Sequence, residues 1–200
     1  MKVLVTGANG YIGRHVVKKL LDKGAEVIAC DIICNDIDER AECRSLNLFD
    51  LPEGNVWEQL GRPDVCLHMA WRNGFVHNAS TQMGDVSAHY NFMTAMIDGG
   101  LKHLAVMGTM HEVGFWVGAI DENTPCNPIS MYGIAKDALR RSMIQYTSQK
   151  GCILQWLRAY YILGDDKKNN SIFCKLLKAA EEGKKNFPFT TGKNSMTSSM

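Results

Sequence analysis

The sequence predicts an α/β domain wound on both sides of a parallel sheet. Three observations carry this: apolar runs of four to six residues that read as strands buried on both faces, amphipathic runs interleaved with them, and a glycine-spaced turn joining the first strand to the first helix. Right-handed crossovers then give the doubly wound arrangement.

Residues 2–6 (Lys2-Val3-Leu4-Val5-Thr6) read as the first strand, and 11–23 as a helix with Ile12, Val16, Val17, Leu20 and Leu21 on one face and Gly24 at its end. Strand two is expected from Glu26 to Cys30, ending at Asp31, with a short third strand at 43–48. Asp64 to Met69 reads as strand four, Gly84 to Ile97 as a helix and His103 to Gly108 as strand five. A long helix follows over Ser130 to Gln149, then strand six at Cys152 to Leu157 and a helix from Ser171 to Glu182. Phe187-Pro188-Phe189-Thr190-Thr191-Gly192 could begin a strand, whereas Lys193 to Met200 is small, polar and without pattern, and is expected to be disordered.

Two hundred residues, 46% hydrophobic, suffice for one ordinary domain and a small appendage. The formal charge of +1, with scattered lysines and arginines, argues against a nucleic-acid partner. No apolar run reaches membrane-spanning length, and strand one begins too early to leave room for a signal peptide. The odd count of seven cysteines, with no Cys-x-x-Cys pair, fits small buried residues in a reducing cytoplasm better than a disulfide framework or zinc site. Six dispersed histidines, His77 and His89 among them, offer no metal site.

Gly7-Ala8-Asn9-Gly10-Tyr11-Ile12-Gly13 supplies the chemistry of a dinucleotide site. Gly7 lets the chain turn sharply off the strand and Gly10 lets backbone N–H groups approach a pyrophosphate. Gly13 lets the helix sit close to the sheet with its positive end aimed at the anion. Asp31, 18 residues beyond Gly13, stands where a Rossmann unit places the carboxylate that accepts the adenosine ribose hydroxyls. The residues after it (Ile32, Ile33, Cys34) hold no cation for a 2′-phosphate, so NAD is favoured over NADP; Arg14 weakens that preference. The other reading of Asp31 is the start of a polar loop.

Tyr132-Gly133-Ile134-Ala135-Lys136 puts a phenol and an ammonium on one helix face. A neighbouring cation and a positive nicotinamide would both favour phenolate, bringing the phenol toward the working range of a general base. Taken alone, such a pair also arises by chance on helix surfaces. Thr109, at the carboxyl end of strand five, adds a hydroxyl where open α/β sheets bind ligands.

The chain resembles the extended short-chain dehydrogenases/reductases, specifically the NAD-dependent epimerase/dehydratase family acting on nucleotide sugars. The resemblance runs over residues 2–165 and rests on Gly7-x-x-Gly10-x-x-Gly13, Asp31, His68-Met69-Ala70-Trp71, Thr109 before Gly114, Tyr132-x-x-x-Lys136 and Leu157-Arg158-Ala159-Tyr160 leading to Gly164. It implies a Rossmann domain at 1–165 and, at 166–200, a remnant of the substrate-binding region, most of which is missing. By the same resemblance Tyr132 is the acid/base, Lys136 its electrostatic partner and nicotinamide-ribose ligand, and Thr109 the hydroxyl of the catalytic triad. Gly7, Asn9, Gly10, Tyr11, Ile12, Gly13, Asp31, Ala70, Tyr132 and Lys136 map onto cofactor-contacting positions. The implied reaction oxidises a sugar hydroxyl. The first expectation is a UDP-sugar 4-epimerase, with a dTDP-4-keto-6-deoxysugar reductase or a non-catalytic dinucleotide-binding protein as alternatives. A homodimer is implied, built from the helices at 84–99 and 130–149.

Three departures from the family pattern stand out. Asn47 replaces an acidic residue near the adenine, and Tyr161 replaces an asparagine that contacts the sugar nucleotide. The chain also stops where relatives continue into a substrate lid. Between Thr109 and Trp116, His111 and Glu112 read either as substrate contacts or, preferably, as a loop held by its own hydrogen bonds.

Overall fold

The computed structural model describes residues 1–162 and 172–188 together with the backbone of 198–199. The chain divides into two compact units, Met1–Arg158 and Ala159–Met200. In the first lie β1 (Lys2–Thr6), α1 (Tyr11–Asp22), β2 (Glu26–Asp31), β3 (Glu42–Ser45), α2 (Val56–Gln59) and β4 (Val65–His68). They are followed by α3 (Thr81–Gly84), α4 (Val86–Gly99), β5 (His103–Thr109), a 3-10 turn at Met110–Glu112, α5 (Met131–Lys150) and β6 (Ile153–Ala159), whose last residue falls in the second unit.

The six strands are ordered β3-β2-β1-β4-β5-β6, the expected doubly wound order. β1 pairs in parallel with β2 and β4, β2 with β3, and β4 with β5. Thr6, Asp31, His68 and Thr109 therefore all arrive at one edge of the sheet. Alternation of side chains divides the core into two. Leu4, Ile28, Cys66, Leu104 and Val106 pack with Phe92, Met93 and Met96 of α4 and Leu139 and Met143 of α5. Val3, Val5, Val27 and Ala29 pack with Val17 of α1 on the opposite face. Continuous apolar strands are needed because both faces are covered, and each fully buried aliphatic side chain contributes about 1.5–3 kcal/mol.

The expected elements form, with shifted ends. Strand three stops at Ser45 rather than residue 48, and Met69 lies beyond β4. The helix expected from Gly84 begins at Val86, with Gly84 closing α3. Ser130 is not the first residue of α5 but its N-cap, accepting from Gly133 N–H at 3.2 Å. The four-residue helices α2 and α3 and the 3-10 turn were not anticipated; one turn is too short to show a period.

In the second unit, α6 spans Ile172–Glu181, and β7 (Tyr161–Ile162) pairs in parallel with β8 (Ser198–Ser199). Gly164 falls outside the described residues; of the strand suggested at Phe187–Gly192 only 187–188 are described, without strand, and of the tail at Lys193–Met200, expected to be disordered, only the strand residues Ser198–Ser199 are described. All seven cysteines are free.

Candidate active site

The glycine turn takes the shape its spacing implies. Gly7 has φ +69°, and a Cβ there would lie 2.7 Å from the Ala70 nitrogen. A Cβ on Gly13 would stand 2.1 Å from the Gly7 carbonyl oxygen. Any side chain at either point would lift the turn or the helix off the strand ends. Gly10 forms the N-cap of α1, and no acidic side chain in the first turn opposes an anion there.

Asp31 closes one end of this region. One carboxylate oxygen accepts the Asn9 N–H at 2.9 Å and the other the Ile32 N–H at 2.8 Å. Asn9 also ties the turn to the following loop through Asn35 and the Asp36 N–H. Arg14 pairs with Asp36 at 3.6 Å. A cavity of about 430 Å³ runs along the sheet edge, lined by Gly7, Gly10, Asp31, Asn47, Ala70 and Trp71 among others. Tyr11 and Ile12 begin α1 beside it.

Thr109, Tyr132 and Lys136 converge at the carboxyl end of β5. The Thr109 side chain caps the 3-10 turn, accepting the His111 N–H at 3.3 Å. Its hydroxyl also acts on the Tyr132 phenol in the sense that favours phenolate. Lys136 is buried, donates to the Met107 carbonyl at 2.8 Å and holds its Nζ 4.0 Å from the Trp71 ring centroid. Tyr132 meets the same indole edge-on at 6.0 Å.

The electrostatics differ from the expectation that Lys136 lowers the phenol. Burial dominates both groups: it raises the Tyr132 phenol above 10.0, against the opposing Thr109 hydroxyl, and pushes the Lys136 ammonium down to about 7, against the Glu112 charge.

Several neighbours were not anticipated. His77 stacks on Tyr132 at 5.7 Å and its carbonyl accepts the Tyr132 N–H at 2.8 Å. Asn78 accepts the Met131 N–H at 3.1 Å, so the loop after β4 caps α5. His111 lies 4.2 Å from His77 and 5.5 Å from Tyr132, ring to ring. A Cβ on Gly133 would fall 2.3 Å from the His111 carbonyl, which explains the glycine inside the Tyr-Gly-Ile-Ala-Lys segment. Glu112 resolves toward the structural reading. Fully buried, it accepts from Thr109 N–H at 2.9 Å, Trp156 Nε1 at 3.0 Å and Arg158 Nε at 3.0 Å.

These residues suit a dinucleotide: a glycine cradle that a Cβ would fill, a carboxylate along the cavity, and Trp71 in its wall, against which the phenol and ammonium pack. Residues 3–197 match the NAD dependent epimerase/dehydratase family. The chain belongs to that family. It is 46% identical to the dTDP-6-deoxy-L-talose 4-dehydrogenase (NAD(+)) of Aggregatibacter actinomycetemcomitans, over 96% of this chain and 73% of that protein. Among solved structures, the UDP-glucose 4-epimerase of Thermotoga maritima with UDP-glucose superposes with a TM-score of 0.84 at 23% identity, covering 96% of this chain and 67% of that one. MoeE5 in complex with UDP-glucuronic acid and NAD gives 0.75 at 26% identity, covering 90% and 61%. These structures share this fold, while this chain spans only part of their length.

Proposed function

We propose that the chain is an NAD-dependent oxidoreductase of nucleotide sugars that interconverts the 4-hydroxyl and 4-keto forms of a dTDP-linked 6-deoxyhexose. The observation that carries this is the convergence of Tyr132 and Lys136 on Trp71, beside Thr109, where the same indole lines a cavity that reaches Asp31. The 46% identity to a 4-dehydrogenase favours the dTDP-6-deoxysugar over the UDP-sugar epimerase first expected.

Gly7, Gly10 and Gly13 admit the pyrophosphate, with Asn9, Tyr11, Ile12 and Ala70 alongside, and Asp31 receives the adenosine ribose hydroxyls and disfavours a 2′-phosphate. NAD supplies the hydride acceptor when bound. In the oxidative direction the Tyr132 phenolate takes the C4 hydroxyl proton while the C4–H electron pair and hydrogen leave as hydride, which makes the ketone. Thr109 holds the substrate oxygen against the phenol. Lys136 stabilises the phenolate and binds the nicotinamide ribose; a nearby phenolate favours its charged form again.

Residues 1–165 form the cofactor-binding part in this reading, and 166–200 contribute to the substrate side. Helices α4 and α5, with Ile134 and Ile144 exposed on α5, are proposed to join a second copy in a homodimer. Free cysteines suit a cytoplasmic setting, and no described helix is long and apolar enough to cross a membrane. The test is a panel of dTDP-, UDP- and GDP-sugars with NAD, following reduced nicotinamide and sugar epimers. Reduced nicotinamide from a dTDP-6-deoxysugar is the expected result. Epimer formation from a UDP-sugar without net reduction would restore the epimerase reading, and cofactor binding with no turnover would favour a dinucleotide-binding protein.

A further inference from the structure

A chain of hydrogen bonds runs from the end of β1 to the wall of the cofactor cavity. Thr6 Oγ1 accepts the N–H groups of Met69 at 3.1 Å and Ala70 at 3.2 Å, so its own hydrogen is free to go to His68 Nδ1 at 2.8 Å. With Nδ1 accepting, a neutral His68 carries its proton on Nε2 and donates to His89 Nδ1 at 2.9 Å. His89, with Nδ1 accepting, therefore carries its proton on Nε2. That nitrogen is buried and has no hydrogen-bond partner among the described residues. His89 is 2% exposed, lines the cavity and stacks on Trp71 at 4.4 Å. Burial keeps both rings neutral, His68 well below 6.5 and His89 down to about 4.

A buried donor left unpaired is costly, so such a group in a cavity wall calls for an acceptor brought by a ligand. We infer that His89 is a cofactor-positioning residue whose Nε2–H donates to a pyrophosphate or ribose oxygen of the bound dinucleotide, with Thr6 and His68 fixing the tautomer that makes it a donor. This rests on the proposed NAD site. The ring does not titrate near neutrality, so its donor persists across the physiological range.

The test uses the full chain and two replacements. His89→Asn places an amide oxygen near the Nδ1 position, keeping an acceptor for His68, and removes the Nε2 donor. His89→Gln places an amide nitrogen near Nε2. NAD affinity by calorimetry is expected to fall about 3- to 10-fold in His89→Asn and to stay within about 3-fold in His89→Gln, the range for one hydrogen bond. Nitrogen-15 NMR of the unsubstituted chain should show a protonated His89 Nε2 whose resonance moves when NAD is added. Unchanged affinity in His89→Asn, equal losses in both variants tracking lost thermal stability, or an unprotonated Nε2 would overturn the inference while leaving NAD binding intact. Failure of the unsubstituted chain to bind NAD would instead bring down the proposed function and this inference together.

Discussion

Replacing Lys136 with methionine should stabilise the cofactor-free protein while removing its activity. The ammonium is enclosed, and its fall from 10.5 to about 7 corresponds to roughly 5 kcal/mol against the charged form. The Trp71 face, 4.0 Å from Nζ, returns about 2 kcal/mol as a desolvated cation–π contact. The Met107 carbonyl, 2.8 Å away, would lose its partner on substitution at a cost of about 1 kcal/mol. The net expectation at pH 7 is a gain of about 2 kcal/mol, or a Tm rise of about 4–8 °C for a chain of this size. The sign follows from linkage. Between about 7 and 10.5 the unfolded chain holds a proton on Lys136 that the folded chain lacks, so stability of the unsubstituted protein rises with pH across that window. The advantage of Lys136→Met should shrink as pH approaches 10.5. Urea unfolding of both proteins at neutral and alkaline pH measures it. A methionine variant less stable than the unsubstituted chain at pH 7, or a difference that does not change with pH, would refute the reasoning.

Glu112→Gln removes the charge that two arginines and an indole surround, and should cost about 3–5 kcal/mol in urea unfolding, as for one partner of a buried ion pair. A loss under about 1 kcal/mol would mean that Arg158, 3.0 Å from the carboxylate, and Arg140, 3.9 Å from it, are held by other means. Asp31→Ala should weaken NAD binding about tenfold and narrow the preference over NADP, measured by titrating each cofactor, because a charged hydrogen-bond acceptor is lost. Since burial holds the Tyr132 phenol high, the oxidation rate should rise about tenfold per pH unit on the acid side of its apparent pKa, whereas ketone reduction, which uses the protonated phenol, should not. A pH–rate profile that is flat for oxidation would contradict this.

The parts of the fold that were legible in the sequence are those set by local chemistry. Gly7 and Gly13 could be read because a turn and a close helix–strand approach each demand a missing Cβ at a fixed spacing. Strands β1, β2 and β5 could be read because burial on both faces makes them nearly continuously apolar. What escaped was decided by contacts distant in sequence. Trp71 lies 65 positions before Lys136, and nothing in His68-Met69-Ala70-Trp71 announces that the indole would receive the ammonium and stack on His89. For the same reason Tyr132 was expected to be lowered by its lysine. Spacing shows that two groups share a helix face, but not that burial there outweighs their mutual attraction. His77 and His89 offered no metal pattern and gave no other signal, yet one stacks on the phenol and the other lines the cavity along the sheet edge. Glu112 was readable as a loop-holding residue from its position three after Thr109, a capping-box spacing.

The most direct measurement of the central claim is single-turnover transfer from C4-deuterated dTDP-6-deoxy-L-talose to NAD, comparing the unsubstituted chain with Tyr132→Phe. The expected result is deuterium in the reduced nicotinamide with the unsubstituted chain, and a rate lower by about 10²–10⁴-fold in the variant despite retained NAD binding. Transfer at the same rate without the Tyr132 hydroxyl would contradict the account.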